Sequence, residues 1–518
     1  MAKVTFLGHA GAAVDAGAFQ LLVDPWFAPA GAFLGAWHQY PRNDHLDLAG
    51  LLDADWVAVS HEHLDHFDPW VLNQLSARTR ILIPHYPGPA FRERMMAAAG
   101  GRNVIELTPW EKFPLDNRGS WITAIPELSP MCHDAAFLVF ADGRGFLHAN
   151  DARLTAAQAR RAKHLVGGRL DLMAVQTSQA SWHPICYHYG PDEMTKISMD
   201  KRVSKLRAVQ RLVRQTAPEL AAPYAGPPCF LDAEVDHHNR TLAQEDGAFC
   251  DPEAATAWLR EHLPKQSWQS FKPGDSIDLD TGAVDRDPVS AEFSFTDRDE
   301  YLKRYAADRA AAIAEALTPY PEPDSGLFDR FAAHFAYLGG LSDYFLRQIA
   351  MVVRFDVTGP NGGVWDVDFS PDGLAVSEAS PDVRPHYRIT TAGRWVDGVI
   401  AGRIAWEDLL LSFRVSLSRD PDVYNDYLVG LLKHANAPAL QAVEVYENER
   451  DESERITVAC DGVSYDIQRY CPHAGEDLSV GAIVRDGRIQ CLAHNFAFDL
   501  ATGECVNARA ANLDARRV

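Results

Sequence analysis

The chain has 518 residues, 47% hydrophobic and 23% charged, with 71 acidic against 49 basic side chains and a formal net charge of −22. At ~100–200 residues per domain this predicts three or four globular domains, and it excludes a disordered chain, a collagen-like repeat and a small disulfide scaffold. The charge argues against a general nucleic-acid or anionic-membrane surface. No apolar run approaches the ~18 residues of a spanning helix, and Met1-Ala-Lys3 leads straight into a strand pattern. The expected address is therefore cytoplasmic, without membrane or nucleic-acid partners and with the 8 cysteines reduced.

In chain order, short β-type runs open at Val4-Thr-Phe-Leu7 and Phe19-Gln-Leu-Leu-Val23, the latter stopped by Asp24-Pro25. Trp56-Val-Ala-Val-Ser60 follows, then Ile81-Leu-Ile-Pro84, Trp121-Ile-Thr-Ala-Ile125, Ala136-Phe-Leu-Val-Phe140 and Gly145-Phe-Leu-His148. Between Lys201 and Pro218, Val203, Leu206, Val209, Leu212 and Val213 recur at helical spacing, and Leu220-Ala-Ala-Pro-Tyr224 reads as a strand. Residues 1–250 thus predict an α/β domain. Residues 251–326 read as a helical connector, with its clearest helix over Asp297–Leu317 and a Pro-rich linker at Pro319–Gly326. Residues 327–436 form a mixed α+β segment, including a helix over Trp406–Arg414, and residues 440–518 are β-rich and punctuated by glycine.

Cys471-Pro-His473 is separated by 17 residues from Cys491-Leu-Ala-His494. Two loops, each offering one thiolate and one imidazole, can hold either a zinc ion or a [2Fe–2S] cluster with cysteine on one iron and histidine on the other. Zinc fingers usually pair Cys with Cys and His with His. Here each loop runs Cys then His, with strand-like Ala482-Ile-Val484 and Arg488-Ile-Gln490 between, an order that fits the Rieske arrangement. The loops resemble Rieske domains of the oxygenase and ferredoxin type. Respiratory members carry an extra cysteine in each loop, and Glu476 and Ala493 stand at the matching positions. The resemblance implies a lower-potential cluster that delivers electrons, with Cys460 and Cys505 left to packing.

After the strand ending at Ser60 comes His61-Glu-His-Leu-Asp-His66, compact enough to converge on one or two metal ions. This motif resembles the metallo-β-lactamase superfamily, whose fold is an αββα sandwich. Phe6-Leu-Gly-His9 and Leu22-Val-Asp24-Pro-Trp26 resemble the opening of its lactonase and phospholipase-D-like branch. The resemblance places His61 and His63 on one metal position and Asp65 and His66 on the other, with His133 as third histidine and Asp151 as bridging acid. A last histidine should follow the strand near Ala222, but Pro223-Tyr-Ala-Gly226 stands there. His183 and His237, or else His188 and His238, are the candidates to replace it.

Metal-assisted hydrolysis needs no electrons, so a Rieske cluster has no use in it. Beside an iron site it has one, supplying electrons singly for O2 activation. Over most of residues 1–430 the chain resembles the CMP-N-acetylneuraminate hydroxylases, which combine the same two domain types. The likeness runs through Val23-Asp-Pro-Trp26, Ser60–His66, Asp171-Leu-Met173, Ala222–Gly226 and Phe413–Tyr424. That family carries its Rieske domain first, whereas here it comes last. In the third segment His386–Thr391, Trp395–Ile400 and Trp406–Leu409 resemble sterol-carrier-protein-like modules. A structural or interface role is expected for it, with Arg414 and Arg419 available to an anionic substrate.

The expectation is a Rieske-type non-haem iron monooxygenase that hydroxylates or N-oxygenates a small polar metabolite, using a [2Fe–2S] cluster and one or two irons. No G-x-G-x-x-G unit follows a strand, so the electrons should come from a separate ferredoxin, cytochrome or NAD(P)H-dependent reductase. A homo-oligomer, in which one cluster serves a neighbouring iron, is compatible with the sequence. The alternative is a zinc-dependent lactonase or phosphodiesterase with a redox-sensing Rieske domain.

Overall fold

The computed structural model describes residues 2–128, 130–178, 181–242, 247–371, 373–449, 453–472, 475, 477–479, 481–491, 496–507 and 510–518. The chain divides into two compact units. One comprises residues 1–128, 132–181 and 192–319; the other comprises residues 129–131, 182–191 and 320–518.

The first unit is built on two sheets. One orders its eight strands as Val284–Asp285, Ser276–Asp278, Lys3–Gly8, Gly11–Asp15, Gln20–Val23, Trp56–Ala58, Arg80–Pro84 and Val104–Leu107. The pairing is parallel from Gln20–Val23 onward. The other has six: Leu220–Tyr224, Leu172–Gln176, Arg144–His148, Ala135–Ala141, Trp121–Pro126 and Phe113–Pro114. Side chains alternate across a strand, so continuous apolar runs must be covered on both faces. Leu21, Val23, Ala58 and Leu82 face inward, onto Phe137, Val139, Phe146 and Leu172 of the second sheet. Leu22, Val57, Ile81 and Ile83 face outward, under Val71 and Leu72 of the helix Pro69–Gln74 and Phe91 and Met95 of the helix Ala90–Ala98. On the far side, Leu138, Leu147 and Met173 lie under Leu206, Val209 and Val213 of the helix Pro191–Thr216. The result is an αββα sandwich.

Residues 251–319 do more than connect. Ile277 pairs with Val4 and extends the first sheet by an edge hairpin. The helix Pro191–Thr216 begins ten residues before its apolar periodicity does, because its first turns are polar and start with Asp192 and Glu193.

In the second unit, five strands are ordered Gly373–Glu378, Gly363–Ser370, Val352–Thr358, Tyr387–Ala392 and Val415–Arg419. Phe331 meets Phe355 of this sheet edge to face and Phe335 meets it tilted, both from the helix Leu327–Gly339, and Phe335 also meets Trp406. The helix Trp406–Leu411 stops short of Arg414, since Phe413 takes a left-handed φ of 56° that turns the chain into Val415–Arg419. Residues 182–191 belong to this unit: Tyr187 bridges to Leu417, and the Leu417 N–H donates to the Cys186 carbonyl at 2.8 Å. Beyond the helix Ala437–Glu449 come two three-stranded sheets, Arg455–Cys460, Val463–Gln468 and Ala515–Arg517, and Ala482–Arg485, Arg488–Cys491 and Ala497–Asp499. Their shared core holds Ile467, Cys471, Ile489, Cys491, Phe498 and Leu513. Among the described residues no helix is long and apolar enough to cross a membrane.

Candidate metal centres

Two parallel strands end side by side, Val23 opposite Ala58, and this brings Asp24 next to Ser60. The Asp24 carboxylate accepts the Ser60 N–H at 2.8 Å, the Ser60 hydroxyl at 2.7 Å and Asn150 Nδ2 at 2.8 Å, and its Oδ2 lies 3.0 Å from His66 Nδ1. The loop between is a tight turn, with the N–H groups of His66 and Phe67 both donating to the His63 carbonyl at 2.9 and 2.7 Å. Asp68 closes it. Its carboxylate caps the helix Pro69–Gln74 through the N–H groups of Trp70 and Val71 and also accepts those of Phe27 and Ala28.

These bonds set the histidine tautomers. Ser60 spends its only hydroxyl proton on Asp24, so its 2.9 Å contact with His61 Nδ1 requires that nitrogen to donate. His61 Nε2 is then left with its lone pair. His66 likewise gives its Nδ1 proton to Asp24, which turns Nε2 toward the site.

The donors form two groups, His61 with His63 and Asp151, and His9 with Asp65 and His66; the donor atoms within each lie within 4.8 Å of one another. His61 Nε2 is 2.8 Å from His63 Nδ1, and His9 Nε2 is 2.9 Å from Asp65 Oδ2. His66 Nε2 lies 3.6 Å from both Asp65 Oδ2 and Asp151 Oδ1, so it joins the two groups. Burial acts to lower the pKa of His66, but the carboxylates of Asp65, Asp151 and Asp24 outweigh it and hold the pKa up at about 10. Asp65 is buried too, and His66 and His9 keep its carboxyl well below the usual range. For Asp151, burial prevails and raises the pKa.

The geometry fits bound cations. Among the described residues Asp65 Oδ1, Asp151 Oδ1 and His66 Nε2 are buried without a hydrogen-bond partner. Each such atom costs about 1–3 kcal/mol unless something replaces its lost water. A metal ion would do so, and mixed imidazole and carboxylate donors suit zinc and iron alike.

Of the residues anticipated from sequence, His61, His63, Asp65, His66 and Asp151 converge. His133 stands beside the loop, stacked on Tyr86 with ring centroids 4.8 Å apart and its Nδ1 3.4 Å from Glu62, and enters neither group. His183 lies in the other compact unit, where its Nε2 is 3.0 Å from the Tyr189 hydroxyl; His188, also there, contacts Ser416. His237 is exposed on the 3₁₀ turn Asp236–Leu242, its ring centroid 4.0 Å from that of His238. Among the described residues none of these falls in either donor group. Sequence reasoning missed His9 as a donor and Asp24 as the group that orients the loop. Their only signal was the left-handed turn potential of Gly8-His9 and the strand-ending Asp24-Pro25 pair.

At the other candidate centre, Cys471 and Cys491 are both buried, each opening a loop. The Gly475 N–H donates to the Cys471 carbonyl at 2.9 Å, and the Cys491 N–H donates to the Phe496 carbonyl at 2.9 Å. His473 and His494 lie outside the described residues, as do Glu476 and Ala493.

Comparison with known proteins agrees with both halves. Residues 434–514 match the Rieske [2Fe-2S] domain, and residues 20–210 match the Beta-lactamase superfamily domain. A protein of Mycolicibacterium smegmatis described as a Rieske 2Fe-2S iron-sulfur protein is 27% identical over 100% of both chains. One of Mycobacterium tuberculosis is 28% identical over 99% of this chain and 100% of its own. The cytidine monophosphate-N-acetylneuraminic acid hydroxylase of Mus musculus is 25% identical over 82% of this chain and 72% of its own. Among solved structures, CmlA, a diiron β-hydroxylase from Streptomyces venezuelae, shares 16% identity over 55% of this chain and 54% of its own at a TM-score of 0.36, too loose a likeness to bear on chemistry. The chain therefore joins a metallo-β-lactamase-like domain to a following Rieske [2Fe–2S] domain, and its homologues include the CMP-N-acetylneuraminic acid hydroxylases.

Proposed function

We propose that this protein is a Rieske-dependent non-haem iron oxygenase that hydroxylates or N-oxygenates a small polar metabolite. The observation that carries the reading is the presence, in one chain, of a Rieske domain and a pair of buried to part-buried His/carboxylate donor groups. Hydrolysis at a metal has no step that consumes an electron, whereas oxygenation needs electrons delivered singly. The hydroxylase relatives support the same reading.

Iron bound at these groups, supplied with electrons from the cluster, would provide O2 activation. The chain's own residues do the rest. His61, His63 and Asp151 would hold one position, and Asp65 and His66 the other. Asp24 fixes the orientation of His66 and, through Ser60, that of His61, so that both present Nε2. Cys471, His473, Cys491 and His494 would hold the cluster. Electrons would arrive from a separate ferredoxin, cytochrome or NAD(P)H-dependent reductase.

The test is O2 uptake by the purified full chain, driven through a ferredoxin and its reductase, with sugar nucleotides and other small polar metabolites as trial substrates. Substrate-dependent uptake should be lost in both Cys471→Ala and His61→Ala. Turnover untouched by Cys471→Ala, or zinc alone at the donor groups together with redox-independent hydrolysis, overturns the proposal.

A further inference from the structure

We infer that His9 is a metal ligand, completing the second donor group with Asp65 and His66. This rests on the reading of the site as a metal centre and adds to it a residue far outside the His61–His66 loop.

Three observations converge on His9. Its side chain is only 3% exposed, and its Nε2 lies 2.9 Å from Asp65 Oδ2. Two donors at right angles around one ion, each about 2.1 Å from it, stand about 3 Å apart. The backbone of His9 is held at a φ of 45°, where a residue with a Cβ is strained. That conformation is secured from the opposite sheet, because the Ala225 N–H, just past the strand Leu220–Tyr224, donates to the His9 carbonyl at 2.9 Å.

The same contact shows why the ligand comes from here. The backbone facing the second donor group at this strand end is Ala225-Gly226, with no donor side chain. A Cβ built on Gly226 would stand 2.9 Å from Ser178 Cβ and 3.8 Å from His9 Cε1. A lone role as hydrogen-bond donor to Asp65 would explain the 2.9 Å contact, but not the left-handed backbone or the convergence of the imidazole with both Asp65 and His66.

The test is metal binding to the full chain, with Co(II) titrated anaerobically against a chromophoric chelator and its visible absorption recorded. His9→Gly removes the imidazole and suits the left-handed backbone; His9→Gln fills the space and can still donate to Asp65. Both variants should lose the second Co(II) with an affinity drop of about 100-fold or more, beyond the range of an outer-shell change. Millimolar imidazole should restore the absorption of His9→Gly and leave His9→Gln unchanged. Wild-type affinity and spectrum in His9→Gln would show a positioning role and overturn the inference, as would two ions bound normally by His9→Gly. In those cases the metal-centre reading stands. A wild-type chain that binds no Co(II) at these groups overturns both.

Discussion

Asp24 Oδ2 lies 3.0 Å from His66 Nδ1, and both side chains are wholly excluded from solvent. This carboxylate ends one strand while the histidine ends the loop after another, so the pair ties the metal-binding loop to the sheet. It also gathers the Ser60 hydroxyl and the Asn150 amide.

Removing the charge should therefore act through the ligands. Asp24→Asn is expected to weaken metal binding by about 10–100-fold, because His66 loses the acceptor that holds its tautomer and Ser60 loses the one that orients His61. Chelator competition checks this. An unchanged affinity would mean that the loop holds its ligands without Asp24.

Cys471 sits at zero exposure in the core of the last two sheets. Cys471→Ala should abolish the EPR signal of the reduced cluster while the donor groups of the other unit keep their metal. Elemental analysis of anaerobically prepared protein would show the remaining iron as that of the N-terminal site alone. Retention of the full Rieske signal would remove Cys471 from the ligand set.

His38 offers a pH-dependent prediction outside the metal site. Burial, and to a lesser degree Arg309, pull its pKa down from 6.5 to about 3, although its Nε2 is 3.2 Å from the Gly35 carbonyl. Above pH 6.5 the residue is neutral in both folded and unfolded chains, so its contribution is constant. Below that, the unfolded chain takes up a proton the folded one refuses, and stability falls by about 1.4 kcal/mol per pH unit until the folded pKa is reached. From pH 7.5 to 5, wild type should lose on the order of 2 kcal/mol more than His38→Gln. Urea unfolding of the two proteins side by side cancels what they share; parallel pH profiles would refute the assignment.

The formal charge of −22 bears on the electron donor. If a reductase docks through a basic patch, its apparent association rate should fall steeply between low and physiological ionic strength, while the internal electron-transfer rate stays constant. Stopped-flow reduction of the cluster at several salt concentrations separates the two. A salt-independent association rate would exclude electrostatic docking.

How much of this was legible beforehand depends on distance along the chain. His61, His63, Asp65 and His66 lie within one turn, and their spacing alone brings them together. An α/β class was equally legible, because apolar runs such as Leu21-Leu-Val23 and Ile81-Leu-Ile83 need cover on both faces, and the resemblance to the metallo-β-lactamase superfamily implied the αββα layering. Two things depended on segments meeting only after folding. His183 looked like a candidate ligand but bonds to Tyr189 in the other unit. Residues 276–285 looked like part of a connector but pair with the first strand.

By itself, the sequence determined the two donor motifs and the order of the domains that carry them, since both are written in contiguous residues. The tertiary structure alone decided which distant groups complete and orient the site. Asp24 and His9 are separated from His66 by 42 and 57 positions, and no local periodicity encodes such a pairing. It arises because parallel strands set Val23 beside Ala58, and because the end of the strand Leu220–Tyr224 closes onto His9.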